Sequence, residues 1–197
     1  MNLKDWIIRI LVAFAVMIAI ALVIIIPMTA SAVELEDYND GNRWTEPPVV
    51  VLSTCPVQPC RLTAGQINDI LKGTGLSGLG ETYAAGEEET GINALFIISI
   101  TALESGWGDS YNARERNNLG GIKGADGYRA FDSREDSIRD MYDFLDRLYI
   151  QQGRTTIEEI GAKYCESAGW AGQVERIMRD LIDQAEGYAE QEGSYGI

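Results

Sequence analysis

The chain has 197 residues, of which 30 are acidic and 16 basic, a formal net charge of −14. That balance repels nucleic-acid phosphates, so no nucleic-acid partner is expected. It has no histidine, which excludes Ser-His-Asp and Cys-His nucleophile pairs and the usual zinc sites, and leaves reactions run by carboxylates, glycoside cleavage foremost among them.

Residues 10–26 are an unbroken apolar run, preceded by Lys4 and Arg9 and followed by Pro27, Glu34, Glu36, Asp37 and Asp40. Basic residues before the run and acidic ones after it place the N-terminus in the cytoplasm and the remainder outside. Ala30-Ser31-Ala32 would suit a signal peptidase, but the run exceeds the roughly 7–15 residues of a signal core and approaches the about 20 that span a bilayer. Residues 1–32 therefore read as one N-terminal transmembrane anchor, or as a signal peptide if cleaved. Residues 33–60 mix acids, Asn, Gly and Pro without a sustained period and read as an extracytoplasmic linker. Cys55 and Cys60 could close a small loop in an oxidising compartment, leaving Cys165 as a lone, buried thiol.

From residue 61 to 190 helix signals dominate. Thr63 with Gln66 is a capping box opening a helix over residues 64–71, and a glycine-rich loop over 73–80 ends it. Residues 92–103 are almost uniformly apolar and predict a helix buried on all sides. Ser133 with Asp136 opens another helix, where Ile138, Met141, Tyr142, Leu145, Leu148 and Tyr149 fall at helical spacing before Gly153. Thr156 with Glu159 repeats the cap, and Val174, Ile177, Met178, Leu181 and Ile182 form the apolar face of a last helix, with residues 191–197 as a frayed tail. The fold class is mainly α. No metal site and no cofactor is expected: the three cysteines are too few for a thiolate site, and the glycines of 73–80 follow a helix with no Lys-Ser or Lys-Thr pair.

The chemistry concentrates at the end of the apolar helix, in Leu103-Glu104-Ser105-Gly106-Trp107-Gly108. A carboxyl that must give a proton to a glycosidic oxygen needs apolar walls that favour its neutral form, and Glu104 is delivered by a hydrophobic helix to the point where Gly106 and Gly108 break it. A Glu at a helix C-terminus is opposed by the helix dipole, so its presence there asks for a functional reason. Trp107 could shed water or stack on a sugar ring. Asn117-Asn118-Leu119-Gly120-Gly121-Ile122-Lys123-Gly124 follows, a turn-rich segment whose Asn117 and Asn118 amides could bind N-acetyl and hydroxyl groups.

These two segments in this order resemble the paired signature of the bacterial glucosaminidase family, glycoside hydrolase family 73. Tyr128-Arg129-Ala130-Phe131-Asp132-Ser133 resembles its aromatic-Arg-x-aromatic-x-Ser element, and the likeness runs from about residue 62 to 184. The resemblance implies a lysozyme-like helical fold with a groove, acting on peptidoglycan glycan strands at the bond between N-acetylglucosamine and N-acetylmuramic acid. Glu104 would be the general acid, and Trp107, Tyr128 and Tyr164 would line the groove. One departure matters: only Ala125-Asp126-Gly127 stands where family members often carry a β-lobe with a second acid, so the lobe is expected to be reduced or absent. Asp126, Asp132 or Glu115 could supply that carboxylate if its loop folds over the cleft. Otherwise the substrate's acetamido group could assist, or attack by the muramic 6-hydroxyl would make a lytic transglycosylase. A catalytically idle wall-binding or assembly protein on the same fold is the competing reading. An anchored domain would act locally, within a secretion, conjugation, division or phage machine.

Overall fold

The structure, a computed structural model, describes residues 50–193, with side chains to Gly187. The apolar run at 10–26, the first part of the expected linker and the last four residues lie outside the described residues. Among the described residues no helix is long and apolar enough to cross a membrane.

Seven α-helices and one small ribbon make up the described body: α1 (Ala64–Ile70), α2 (Gly80–Thr90), α3 (Ala94–Ser105), α4 (Tyr111–Arg116), β1 (Lys123–Gly124), β2 (Gly127–Tyr128), α5 (Arg134–Leu148), α6 (Ile157–Tyr164) and α7 (Trp170–Gly193), with a 3-10 turn at Ile150–Gln152. The fold is mainly helical, as expected, and the reduced β-lobe is an antiparallel ribbon pairing Lys123 with Tyr128 and Gly124 with Gly127. Both capping boxes form, Thr63 with Gln66 and Thr156 with Glu159. Two elements differ from expectation. The helix α2 follows the glycine-rich loop where none was predicted, and the stretch around Glu115 is the short helix α4, not a loop.

The central helix α3 is buried at every residue from Ala94 to Ala102, because α2, α5 and α7 pack around it. Its N-terminus is organised by a buried acid: the Glu87 carboxylate accepts from the backbone N–H of Ala94 at 2.7 Å, Cys60 at 2.9 Å and Arg61 at 2.7 Å. A carboxylate at a helix N-terminus is favoured by the dipole, and three N–H donors meet the cost of its burial. The same end is gripped by residues 51–60. Asn93 Nδ2 donates to Gln58 O at 2.8 Å and to Ser53 O at 3.2 Å, and Asn93 N donates to Pro56 O at 2.8 Å. This corrects the linker boundary: the segment from 51 to 60 is a strap docked on the helical body, held by backbone carbonyls that an apolar-period reading does not detect. Cys55 and Cys60 are both free thiols, so the loop is closed by these hydrogen bonds and not by a disulfide.

Candidate active site

At its other end α3 stops at Gly106, which takes the left-handed conformation (φ 58°). The turn is pinned from inside. Ser105 Oγ donates to Thr101 O and accepts from Gly108 N at 2.7 Å. Gly75 and Gly108 touch backbone to backbone, since a Cβ on Gly75 would stand 2.8 Å from the Gly108 carbonyl carbon. Arg134 clamps the pair by donating to Gly75 O and, at 3.1 Å, to Gly108 O. The glycine-rich loop thus serves as a buttress for the turn that carries Glu104.

Glu104 is half-buried and lines a groove of about 710 Å³ together with Tyr111, Gly121, Lys123, Tyr128 and Tyr164. One wall is aromatic: Phe144, Tyr149 and Tyr164 stand with ring centroids 5.6 to 6.3 Å apart. Tyr164 also stacks on Trp170 at 4.7 Å and 26°. Burial, and after it the neighbouring Glu104 charge, pushes the Tyr164 phenol far up, so it stays neutral and can donate. The two carboxyl oxygens of Glu104 have different neighbours. Oε1 accepts from the indole N–H of Trp170 at 2.9 Å, and Oε2 lies against Gly121, 3.3 Å from where a Cβ would sit. With φ at +61°, Gly121 meets both a conformational and a spatial need, and its missing side chain keeps the face of the acid open.

The other residues singled out from sequence fall into two groups. Tyr128 and Tyr164 line the groove. Asn117 and Asn118 do not. Asn117, itself in the left-handed conformation, donates to Phe131 O and Asp132 O. Asn118, 1% exposed, donates to Ile122 O and Arg129 O and accepts from Ile122 N. The Asn118 amide and the Asn117 NH2 group are engaged in folding the loop beside the groove, so these groups, read from sequence as sugar contacts, hold backbone in this structure. Trp107 likewise is absent from the lining, packing against the core with its backbone at φ 59°. Asp126 sits exposed in the ribbon turn, and Asp132 and Glu115 are exposed outside the groove, so among the described lining residues Glu104 is the single carboxylate. Cys165, expected to be buried, is half-buried on the groove wall. Two functional candidates escaped the sequence reading: Tyr111, 67% exposed on the groove rim, and Trp170, whose signal was a large aromatic isolated among Ala168, Gly169, Ala171 and Gly172.

Comparison with known proteins places this arrangement. Residues 80–192 match the glucosaminidase family, described as mannosyl-glycoprotein endo-β-N-acetylglucosaminidase. The chain belongs to the glucosaminidase family. Two Streptococcus pneumoniae proteins, from the serotype 4 strain TIGR4 and from strain R6, carry endo-β-N-acetylglucosaminidase in their names and are 28% identical to this chain over 121 residues, 57% of its length. The match spans only 18% and 17% of those relatives. Among solved structures, S. aureus autolysin E in complex with the muropeptide NAM-L-Ala-D-iGlu superposes with a TM-score of 0.58 at 18% identity, covering 68% of this chain and 75% of that one. A catalytic mutant of autolysin E bound to the disaccharide NAG-NAM gives a TM-score of 0.58 at 17% identity, covering 69% and 73%. The major bifunctional autolysin gives 0.55 at 23% identity, covering 72% and 71%. At these identities the likeness establishes the mainly helical, lysozyme-like glucosaminidase fold.

Proposed function

We propose that this glucosaminidase hydrolyses the β-1,4 bond between N-acetylglucosamine and N-acetylmuramic acid in peptidoglycan, with Glu104 as general acid, from a position anchored outside a membrane by the apolar run at 10–26. The observation that carries the reading is Glu104 itself, half-buried beside an aromatic wall in a groove of about 710 Å³. The related autolysin E, solved with a muropeptide and with NAG-NAM, supports the substrate class.

Glu104 gives its proton to the glycosidic oxygen as the C1–O bond breaks, and the leaving sugar departs as an alcohol. A two-carboxylate route needs a second acid within about 5 to 9.5 Å, and no described lining residue besides Glu104 is acidic. In the route that uses no second acid, the acetamido oxygen of the same N-acetylglucosamine closes on C1 to give an oxazolinium. The Glu104 carboxylate then takes a proton from water, whose oxygen opens that ring and restores the acetamide. The same single carboxylate favours one other outcome, attack by the muramic 6-hydroxyl at its own C1 in a strand cut on the other side of muramic acid.

The test is release of new ends from purified peptidoglycan by the full chain and by Glu104→Gln, identified by mass spectrometry. Reducing N-acetylglucosamine ends, reduced at least about a hundredfold in Glu104→Gln, are expected. Ends of 1,6-anhydro-muramic acid would transfer the reading to a transglycosylase. No ends from a folded chain that still binds wall would leave a binding protein.

A further inference from the structure

We infer that Trp170 is a positioning residue that fixes which oxygen of Glu104 carries the catalytic proton. The inference rests on the reading of Glu104 as general acid and adds to it a second, remote residue, 66 positions along the chain.

The indole N–H is a donor with no acceptor capacity, and it points at Glu104 Oε1 over 2.9 Å. A carbonyl oxygen accepts better than a carboxyl hydroxyl. In the acid form the hydrogen bond therefore makes Oε1 the carbonyl oxygen and Oε2 the hydroxyl. Oε2 is the atom that lies against Gly121, a residue of the groove wall, so the proton is held on the side from which a glycan oxygen would approach. After the proton has left, the same N–H stays on the anion and keeps the carboxylate from rotating. Oε2 is then the atom presented to the incoming water, and one geometry serves both halves of the reaction.

Trp170 is built to hold that line. It is 3% exposed, at the first residue of α7. One ring face stacks on Tyr164 at 4.7 Å, and Gly161 of α6 gives it room, since a Cβ there would come within 3.0 Å of the indole. The aromatic wall of the groove and the positioning of the acid are thus one packed unit: Tyr164 faces the groove and Trp170 stands behind it with its N–H on Glu104.

The experiment compares the full chain with Trp170→Phe, Glu104→Gln and the double variant on purified peptidoglycan, measuring kcat and KM separately. Phenylalanine keeps a ring against Tyr164 and removes the donor. The expected result is kcat lower by about ten- to a hundredfold, the size of a hydrogen bond to a charged group, KM within twofold, and no further loss when Trp170→Phe is added to Glu104→Gln. A Trp170→Phe enzyme that keeps the native kcat, loses only KM, or loses as much again in the Glu104→Gln background overturns the positioning role while leaving the hydrolase reading intact. A native chain that releases no ends overturns the hydrolase reading, and the proton placement falls with it. Should Trp170→Phe fail to fold, the indole N–H proton resonance of Trp170 decides. It is expected downfield of the other tryptophans in the native chain and to move upfield in Glu104→Ala, and a resonance insensitive to Glu104 rejects the inference.

Discussion

Glu87 and Glu104 are two half-hidden or hidden carboxylates put to opposite uses, and the difference lies in their donors. Glu87, 6% exposed, faces three backbone N–H groups. Glu104 faces one indole N–H and an open groove. Truncating Glu87 would leave three donors near the start of α3 without their acceptor, at about 1–3 kcal/mol for each that water cannot reach. Glu87→Ala is therefore expected to lower stability by about 3 kcal/mol or more in urea unfolding. Glu87→Gln, which keeps one acceptor oxygen for Cys60 and Ala94 but sets an amide N–H2 against Arg61, should cost about half as much. An alanine variant as stable as the native chain would show the three bonds to be replaceable by water. Glu104 could be read from sequence because an acid ending an apolar helix violates a local rule. Glu87 could not, since Glu87-Glu88-Glu89 reads as a solvated run and nothing local marks the first as buried.

Among the elements, α2 was hidden and α3 was plain for the same reason seen from two sides. The sequence of α3 is apolar throughout. In α2 the buried face is Gly80, Thr82, Tyr83, Gly86 and Glu87, small or polar residues that give no apolar period. Gly86 is small because α5 comes close: a Cβ there would stand 2.3 Å from the Tyr142 ring. The Tyr142 hydroxyl then donates to Tyr83 O at 2.7 Å. The loop before α2 is legible as glycine-rich but not as a buttress, because its partner Gly108 is 33 residues away. Gly75→Ala tests that role. It puts a methyl into the Gly108 backbone and should cost about 1–3 kcal/mol as overpacking, with a fall in kcat because the displaced turn carries Glu104. Gly78→Ala, where nothing lies within 4 Å of the added Cβ, meets only the strain of φ +85° and should leave kcat unchanged. Equal kinetics in the two variants would mean that the turn holds without the buttress. The loop over Asn117 and Asn118 shows a further limit: amides that can bind a sugar can equally bind backbone, as these do, and only tertiary structure reveals such contacts.

For the molecule as a whole, the buried acids set a limit on the alkaline side. Burial, with the Glu87 charge added, pushes the Cys60 thiol up from 9.0 to about 12. Tyr142 is raised well above 10.0 by burial first and then by Glu87, and Tyr83 is raised by burial against a partial offset from Thr101. Below pH 9 the folded and unfolded chains hold the same protons at these groups, and their contribution is constant. Above it the unfolded chain loses the Cys60 proton while the folded chain keeps it, so stability falls as pH rises from about 9 to 12, and more steeply above 10 when the tyrosines join. Urea midpoints at pH 8, 9 and 10 should decline for the native chain and stay flatter for Cys60→Ala. An identical decline in both would remove Cys60 from the account. The mainly helical class was legible in 197 letters because it follows from short-range pattern, and so was the place of Glu104 at the end of an apolar helix. The strap at 51–60, the buttress and Trp170 were not, because each is a meeting of segments that no local period foretells.

The strap also makes α3 a mechanical link. Its twelve residues form a rod about 18 Å long, gripped at one end by the carbonyls of residues 53, 56 and 58 through Asn93 and carrying Glu104 at the other. A pull on the chain at residue 50 therefore meets the hydrogen bond from Val51 N to Cys60 O first, and through residues 53 to 61 the side chains of Asn93 and of Glu87, the latter on α2. The Asn93 and Glu87 hydrogen bonds act as its shear pins: while they hold, load is passed into the core, and when they part, the strap peels away and the rod bearing the acid is relieved of tension.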